Sequence, residues 1–160
     1  MKVYHSSKDH TWETPQDLFD KLNTVFNFKT DVCALPETAK CNEYFTPEVD
    51  GLKQDWVDVC WCNPPYGRMQ KDWIKKARDE ALKNDTTIVM LIPAKPDTKI
   101  WHDVIFKDSS AVCFIKGRLR FGSAKENAPF PSAIVVFGRV TTEQIEKLGV
   151  FGYTVIVENK

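Results

Sequence analysis

Val57-Asp58-Val59-Cys60-Trp61-Cys62-Asn63-Pro64-Pro65-Tyr66-Gly67 is the stretch on which the fold turns. Its first six residues form a short apolar run of strand composition, and Lys71 to Lys83 beyond it carry apolar residues at helical spacing. Two adjacent prolines stop the strand. They offer no N–H to a ladder, each fixes its own φ, and each drives the residue before it toward extended geometry. Asn63 and Tyr66 then stand at either end of a stiff loop on the carboxyl edge of a sheet, where open α/β sheets bind ligands. As bare composition the same residues also make a rigid turn, with Gly67 relieving the backbone afterwards.

Downstream, Trp73, Ile74, Ala77, Ala81 and Leu82 mark the buried side of the helix, and Thr86 to Pro93 is apolar enough for the centre of a parallel sheet. Pro93 to Thr98, with Lys95 inside it, is a loop on the same edge as Asn63. A helix over Lys99 to Phe106 and a strand over Ala111 to Ile115 follow. Lys116-Gly117-Arg118-Leu119-Arg120-Phe121-Gly122 alternates cations with apolar residues, the pattern of an edge hairpin with one side in water. Ser123 to Pro131 reads as a mobile polar loop. Ser132 to Phe137 reads as a strand, Thr141 to Leu148 as a short helix and Thr154 to Glu158 as a closing strand.

Upstream, residues before Thr11 are polar and read as loose. Thr14 is placed as an N-cap with Pro15 at the first helical position, Trp12 packs as a staple, and Leu18, Phe19, Leu22, Val25 and Phe26 form the apolar stripe. Phe28 to Ala34 reads as the first strand, with Asp31 near its end. The turn after it, Leu35 to Lys40, lacks the G-x-G-x-x-G of nucleotide-binding sheets. Asn42 to Thr46 makes a short strand before a turn at Asp50-Gly51. The pattern is a single three-layer α/β domain over residues 1–160, with no stretch left for a separate recognition domain.

Composition narrows the function. Lysine and arginine number 22, as do aspartate and glutamate, so net charge is zero and binding to nucleic acid rests on a local patch. No apolar run reaches the length of a membrane span and no signal peptide opens the chain, which implies a cytoplasmic location. The five cysteines, Cys33, Cys41, Cys60, Cys62 and Cys113, lie mostly within apolar runs and read as buried thiols. Without a second pair at ligand spacing, Cys60 and Cys62 make no zinc site, and no metal is assigned. Oligomeric state is left open.

The chemistry is concentrated at the proline corner. The side-chain oxygen of Asn63 and the carbonyl of Pro64 can accept two hydrogen bonds from an exocyclic amino group, with the ring of Tyr66 free to stack on the base that carries it. Such an acceptor pair would aim the nitrogen lone pair at a donor methyl. The segment resembles the catalytic loop of amino-group methyltransferases that use S-adenosylmethionine. The chain as a whole resembles the phage-type DNA N6-adenine methyltransferase (Dam) family.

This resemblance runs over roughly residues 11 to 138, through Thr14-Pro15, Asp31-x-Cys33-Ala34, Asp50-Gly51-Leu52, Asn63-Pro64-Pro65-Tyr66 and Arg118-Leu119-Arg120-Phe121. It implies a Rossmann-like methyltransferase fold with abbreviated second and third strands and an antiparallel strand near the C-terminal end. The cofactor implied is S-adenosyl-L-methionine, contacted by Trp12, Thr14, Asp31, Cys33, Ala34 and Asp50. The substrate implied is DNA, met by Tyr66, Lys95, Arg118, Arg120 and Phe121, with one of the arginines on phosphate and Phe121 beside the flipped base. Protection of viral DNA from host nucleases, in a host cytoplasm, belongs to the same implication. Related loops act on RNA adenine, cytosine N4 and protein amides, and an inactive nucleic-acid or nucleotide binding module is the alternative of another class.

Overall fold

The computed structural model describes residues 12–158, so the expected looseness of the segment before Thr11 lies outside the described residues. The helices are α1 Gln16–Phe26, α2 Gln70–Asn84, α3 Phe106–Asp108 and α4 Thr142–Leu148. The strands are β1 Thr30–Asp31, β2 Glu43–Tyr44, β3 Val59–Cys62, β4 Thr87–Pro93, β5 Ala111–Ile115, β6 Ser132–Gly138 and β7 Gly152–Ile156. They form one seven-stranded sheet in the order β2-β1-β3-β4-β6-β5-β7. The first four in that order run parallel, and the pairs β4-β6, β6-β5 and β5-β7 are antiparallel. This is the expected three-layer α/β architecture, with an antiparallel strand, β6, lying inside the sheet.

Alternation along the central strands fills two cores. Cys60, Cys62, Ile88, Met90, Ile92 and Val135 face Trp73, Ile74 and Ala77 of α2 together with Trp101 and Ile105. Trp61, Val89, Leu91, Ile134 and Val136 face Leu18, Phe19, Leu22 and Phe26 of α1 and Leu148 of α4. Every residue of β4 is buried, as a strand covered on both faces requires. The five cysteines are free, and all but Cys41 are buried. No helix among the described residues is long and apolar enough to cross a membrane.

The chain departs from the sequence reading at several elements. The first strand is regular only at Thr30 and Asp31, although Val32 N–H still reaches the Trp61 carbonyl and Ala34 N–H the Phe45 carbonyl before the chain folds back over Asp31. Leu82 is exposed, since it projects from the solvent side of α2 next to buried Ala81. Residues 99–108 are helical, but Trp101–Ile105 forms a π-turn, in which Trp101 and Ile105 pack inward while His102 and Asp103 stay outside. Residues 116–122 make no strand. Lys116 N–H reaches the Phe151 carbonyl, and beyond it Gly117, in left-handed geometry, turns the chain away from the sheet.

Gly51 explains the short turn before β3. A Cβ there would lie 2.1 Å from the Val32 carbonyl and 2.9 Å from the Trp73 ring, so only glycine lets the 3-10 turn Gly51–Lys53 dock under α2. Its own carbonyl accepts from the Trp56 indole at 2.8 Å. Trp56 is pinned further by its backbone N–H, which donates to Glu80 at 2.7 Å.

Candidate functional site

β1, β3 and β4 are parallel neighbours, with Asp31 opposite Trp61 and Cys62 opposite Met90. Their carboxyl ends therefore open on one edge. From β1 the chain passes to β2 on one side and to β3 on the other, which makes the β1/β3 boundary the switch point where such sheets bind ligands. Asp31 and Asn63 emerge there.

Asn63 is oriented by the chain segment ahead of α1. Its Nδ2 donates to the Trp12 carbonyl at 2.7 Å and to Thr14 Oγ1 at 3.0 Å. A carbonyl only accepts, so the nitrogen must face Trp12 and the oxygen must face the other way. That oxygen, Oδ1, is buried with no hydrogen-bond partner among the described residues. An orphaned acceptor in a native corner calls for a donor, which a ligand or an ordered water can supply. Thr14 is consequently not the N-cap the sequence suggested. Pro15 holds that position with no side-chain cap, and the Thr14 hydroxyl is committed to Asn63.

Around the corner stands a cluster of four rings. Trp12 stacks on Tyr66 at 5.7 Å between centroids and 22° between planes, and Phe121 and Phe130 meet both of them edge-on or tilted at 5.1–6.2 Å. The indole thus covers a face of the ring expected to hold a base. The Tyr66 hydroxyl is buried without a partner among the described residues, and burial pushes its pKa well above the usual phenol range. Phe121 is fully buried. Phe130 escaped the sequence reading because its neighbours are polar or proline, and long-range bonds from Ala128 N–H to the Leu119 carbonyl and from Ala94 N–H to the Pro131 carbonyl bring that loop back over the site.

Trp12, Thr14, Asp31, Cys33 and the loop Asn63 to Tyr66 line a common cleft, joined by Glu13 and Lys40. Asp31 accepts from the backbone N–H of Cys33 at 3.3 Å and of Lys40 at 3.0 Å. Burial nevertheless outweighs these bonds and raises its pKa from 3.8 to about 7. The turn that in phosphate-binding sheets aims backbone N–H groups at the ligand here folds over this carboxylate. Lys40 reaches across the cleft to Gln16 Oε1 at 2.8 Å and Glu13 at 3.3 Å. Neither was singled out from sequence, although Glu13 is next to Thr14 and Lys40 is the one cation in the turn after β1.

Free volume in the cleft is about 50 Å³, against about 300–1,000 Å³ in ligand pockets. A ligand of nucleoside size therefore enters by moving a wall. The lining carries both charge signs, hydroxyls and aromatic faces, as a zwitterionic nucleoside would need.

The remaining candidates lie apart. Ala34 is buried beside the cleft, its N–H bonded to the Phe45 carbonyl. Asp50 lies outside the cleft lining and accepts from Leu52 N–H as the cap of the 3-10 turn. Lys95 lines a neighbouring cleft. Arg118 and Arg120 are exposed and line neither cleft.

Comparison with known proteins bears on this geometry. The family model described as DNA N-6-adenine-methyltransferase (Dam) matches residues 2–154. A DNA N-6-adenine-methyltransferase of Haemophilus phage HP1 is 30% identical over 141 residues, 82% of this chain and 80% of that protein. Another, of Escherichia phage T1, is 27% identical over 111 residues, 68% of this chain and 45% of that protein. A putative methyltransferase, YfdM, of Escherichia coli is 35% identical over 63 residues, 34% of this chain and 69% of that protein. With a family match that spans nearly every element of the sheet and both sides of the Asn63 corner, the chain belongs to the DNA N-6-adenine-methyltransferase (Dam) family.

Proposed function

We propose that Asn63 to Tyr66 is the corner at which this protein methylates N6 of adenine in DNA, with S-adenosylmethionine as donor. The observation that carries the assignment is the orphaned Oδ1 of Asn63, fixed in place by the two bonds its nitrogen makes. An exocyclic amine brings the hydrogens that oxygen lacks.

The donor's residues would be Asp31 for its ammonium, with Thr14 and the Trp12 to Thr14 backbone along its amino-acid end. When bound it supplies an electrophilic methyl on a positively charged sulfur. Asn63 Oδ1 and the Pro64 carbonyl accept the two N6 hydrogens and turn the nitrogen lone pair out of conjugation. The donor would supply the methyl carbon to that lone pair, with the electrons of the carbon–sulfur bond leaving on sulfur as a thioether. The nitrogen becomes transiently cationic, is held by the same two acceptors, and releases its extra proton to water. No strong base is required. Tyr66 holds the base by stacking, which requires the Trp12 indole to leave that face; Phe121 and Phe130 close the edges of the slot.

The test offers labelled donor separately to duplex DNA, RNA and protein, followed by nucleoside mass spectrometry. N6-methyladenosine from the deoxy series is the expected product. Label in cytosine, in RNA or in protein amide, with none in DNA adenine, overturns the reading.

A further inference from the structure

A second cleft adjoins the first and shares Trp12 and Tyr66 with it. It has a volume of about 550 Å³ and lies between the start of α2 and the turn after β4. Three cations line it, Arg68, Lys71 and Lys95, and no carboxylate among the described residues does. That is a marked local excess in a chain of zero net charge. All three are exposed, and none forms an ion pair with a described residue. By contrast the first cleft holds Glu13, Asp31 and Lys40.

An independent observation lies in the same wall. Gln70, the first residue of α2, has its side-chain Nε2 buried and without a hydrogen-bond partner among the described residues. A buried carboxamide donor left unmade is costly unless a ligand completes it. Carboxamides are also the side chains that read the edges of bases.

We propose that this second cleft is the channel for the target DNA strand, with Arg68, Lys71 and Lys95 on its phosphates and Gln70 on an acceptor atom of a base beside the target. The proposal deepens the DNA-methylation reading and rests on it. Unpaired lysines and arginines lose little by taking a phosphate, whereas cations already in ion pairs would have to give up a partner. The position of Tyr66 on the boundary of both clefts gives the extruded base its route: strand in the cationic cleft, base past the ring cluster, N6 at Asn63. Phosphate contact thereby moves from Arg118 and Arg120 to Arg68, Lys71 and Lys95.

Fluorescence anisotropy of a labelled DNA duplex, titrated at several salt concentrations, tests it without requiring turnover. The Arg68→Glu/Lys71→Glu/Lys95→Glu variant should bind at least about tenfold more weakly and flatten the slope of log K against log salt by about three, one per phosphate lost. The Arg118→Glu/Arg120→Glu pair should leave that slope in place. Donor binding by calorimetry and thermal melting should match wild type in both, which separates the effect from misfolding. An unchanged slope in the triple variant, or a loss confined to the arginine pair, overturns the channel. Gln70→Leu should redistribute methylation among adenine contexts, read by sequencing, with the salt slope kept; an unaltered distribution overturns its role. Failure of the parent reading is distinguishable, because wild type would then bind duplex while yielding no methylated adenine.

Discussion

Asn63→Ala removes the one side-chain acceptor that faces the corner and leaves the sheet untouched. Losing a single preorganised hydrogen-bonding group at a site of developing charge costs about 2.7–4 kcal/mol, or about 10²–10³ in kcat. The same change strands the Trp12 carbonyl and the Thr14 hydroxyl, which now receive bonds of 2.7 and 3.0 Å. Thr14→Val separates the two consequences. It keeps the acceptor and deletes one of the two bonds that orient it, a net loss of about 0.5–1.5 kcal/mol per bond. If orientation of the amide is what matters, kcat at saturating donor falls about 2–12-fold. The assay is single-turnover transfer of labelled methyl to duplex DNA, with donor affinity measured by calorimetry. Asn63→Ala retaining more than about a tenth of wild-type kcat would refute the reasoning, because a corner acceptor of the strength assumed cannot be removed so cheaply. Loss of donor affinity equal to the loss of transfer would refute it too, since the amide would then be holding the donor rather than the base.

Asp31 makes stability fall as pH rises. Its folded pKa of about 7 exceeds the unfolded 3.8, so between those values the native state holds more protons than the unfolded one. Unfolding free energy therefore declines from about pH 4 to about pH 7 and levels off above, by about 4 kcal/mol at most. Urea unfolding across that range should show the decline in wild type and its loss in Asp31→Asn; parallel profiles would contradict the assignment. A cationic donor favours the ionised carboxylate, so donor affinity should rise through the same window. Gly51→Ala forces a Cβ to within 2.1 Å of the Val32 carbonyl, and a loss of about 3 kcal/mol in thermal unfolding is expected, with an unchanged melting temperature as the contrary result. Glu80→Ala strands the buried Trp56 N–H and the ammonium of Lys76, 3.5 Å from the carboxylate, and should cost about 3 kcal/mol by denaturant titration, whereas Glu80→Gln should cost less.

Legibility in the sequence followed local physics. β4 was readable because an unbroken apolar run admits few alternatives, and α4 because Thr141 and Gln144 form a capping box that the residues themselves announce. The proline corner was readable for the same reason. Thr14 was misplaced because capping and a tertiary hydrogen bond compete for one hydroxyl, and Asn63 lies 49 residues away in the chain. The cations that line the second cleft were scattered among many others, and nothing local distinguishes Arg68 from Arg118. The cleft that Arg68 lines and Arg118 does not reach is what separates them, and it is set by the fold. Trp12 on Tyr66 could not be read either, since ring contacts across 54 positions leave no periodic trace.

The buried thiols carry a last implication. A sulfonium donor alkylates any good nucleophile it meets, and an ionised thiol would outcompete an adenine amine for its methyl. Cys62 directly precedes Asn63, yet burial lifts its pKa far above the usual thiol range, and Cys60 is pushed up to about 12. Kept protonated, the sulfur nearest in sequence to the reactive corner is chemically mute. If the corner transfers a methyl as proposed, the apolar wall that supports it would thereby also spare Cys62 from methylation.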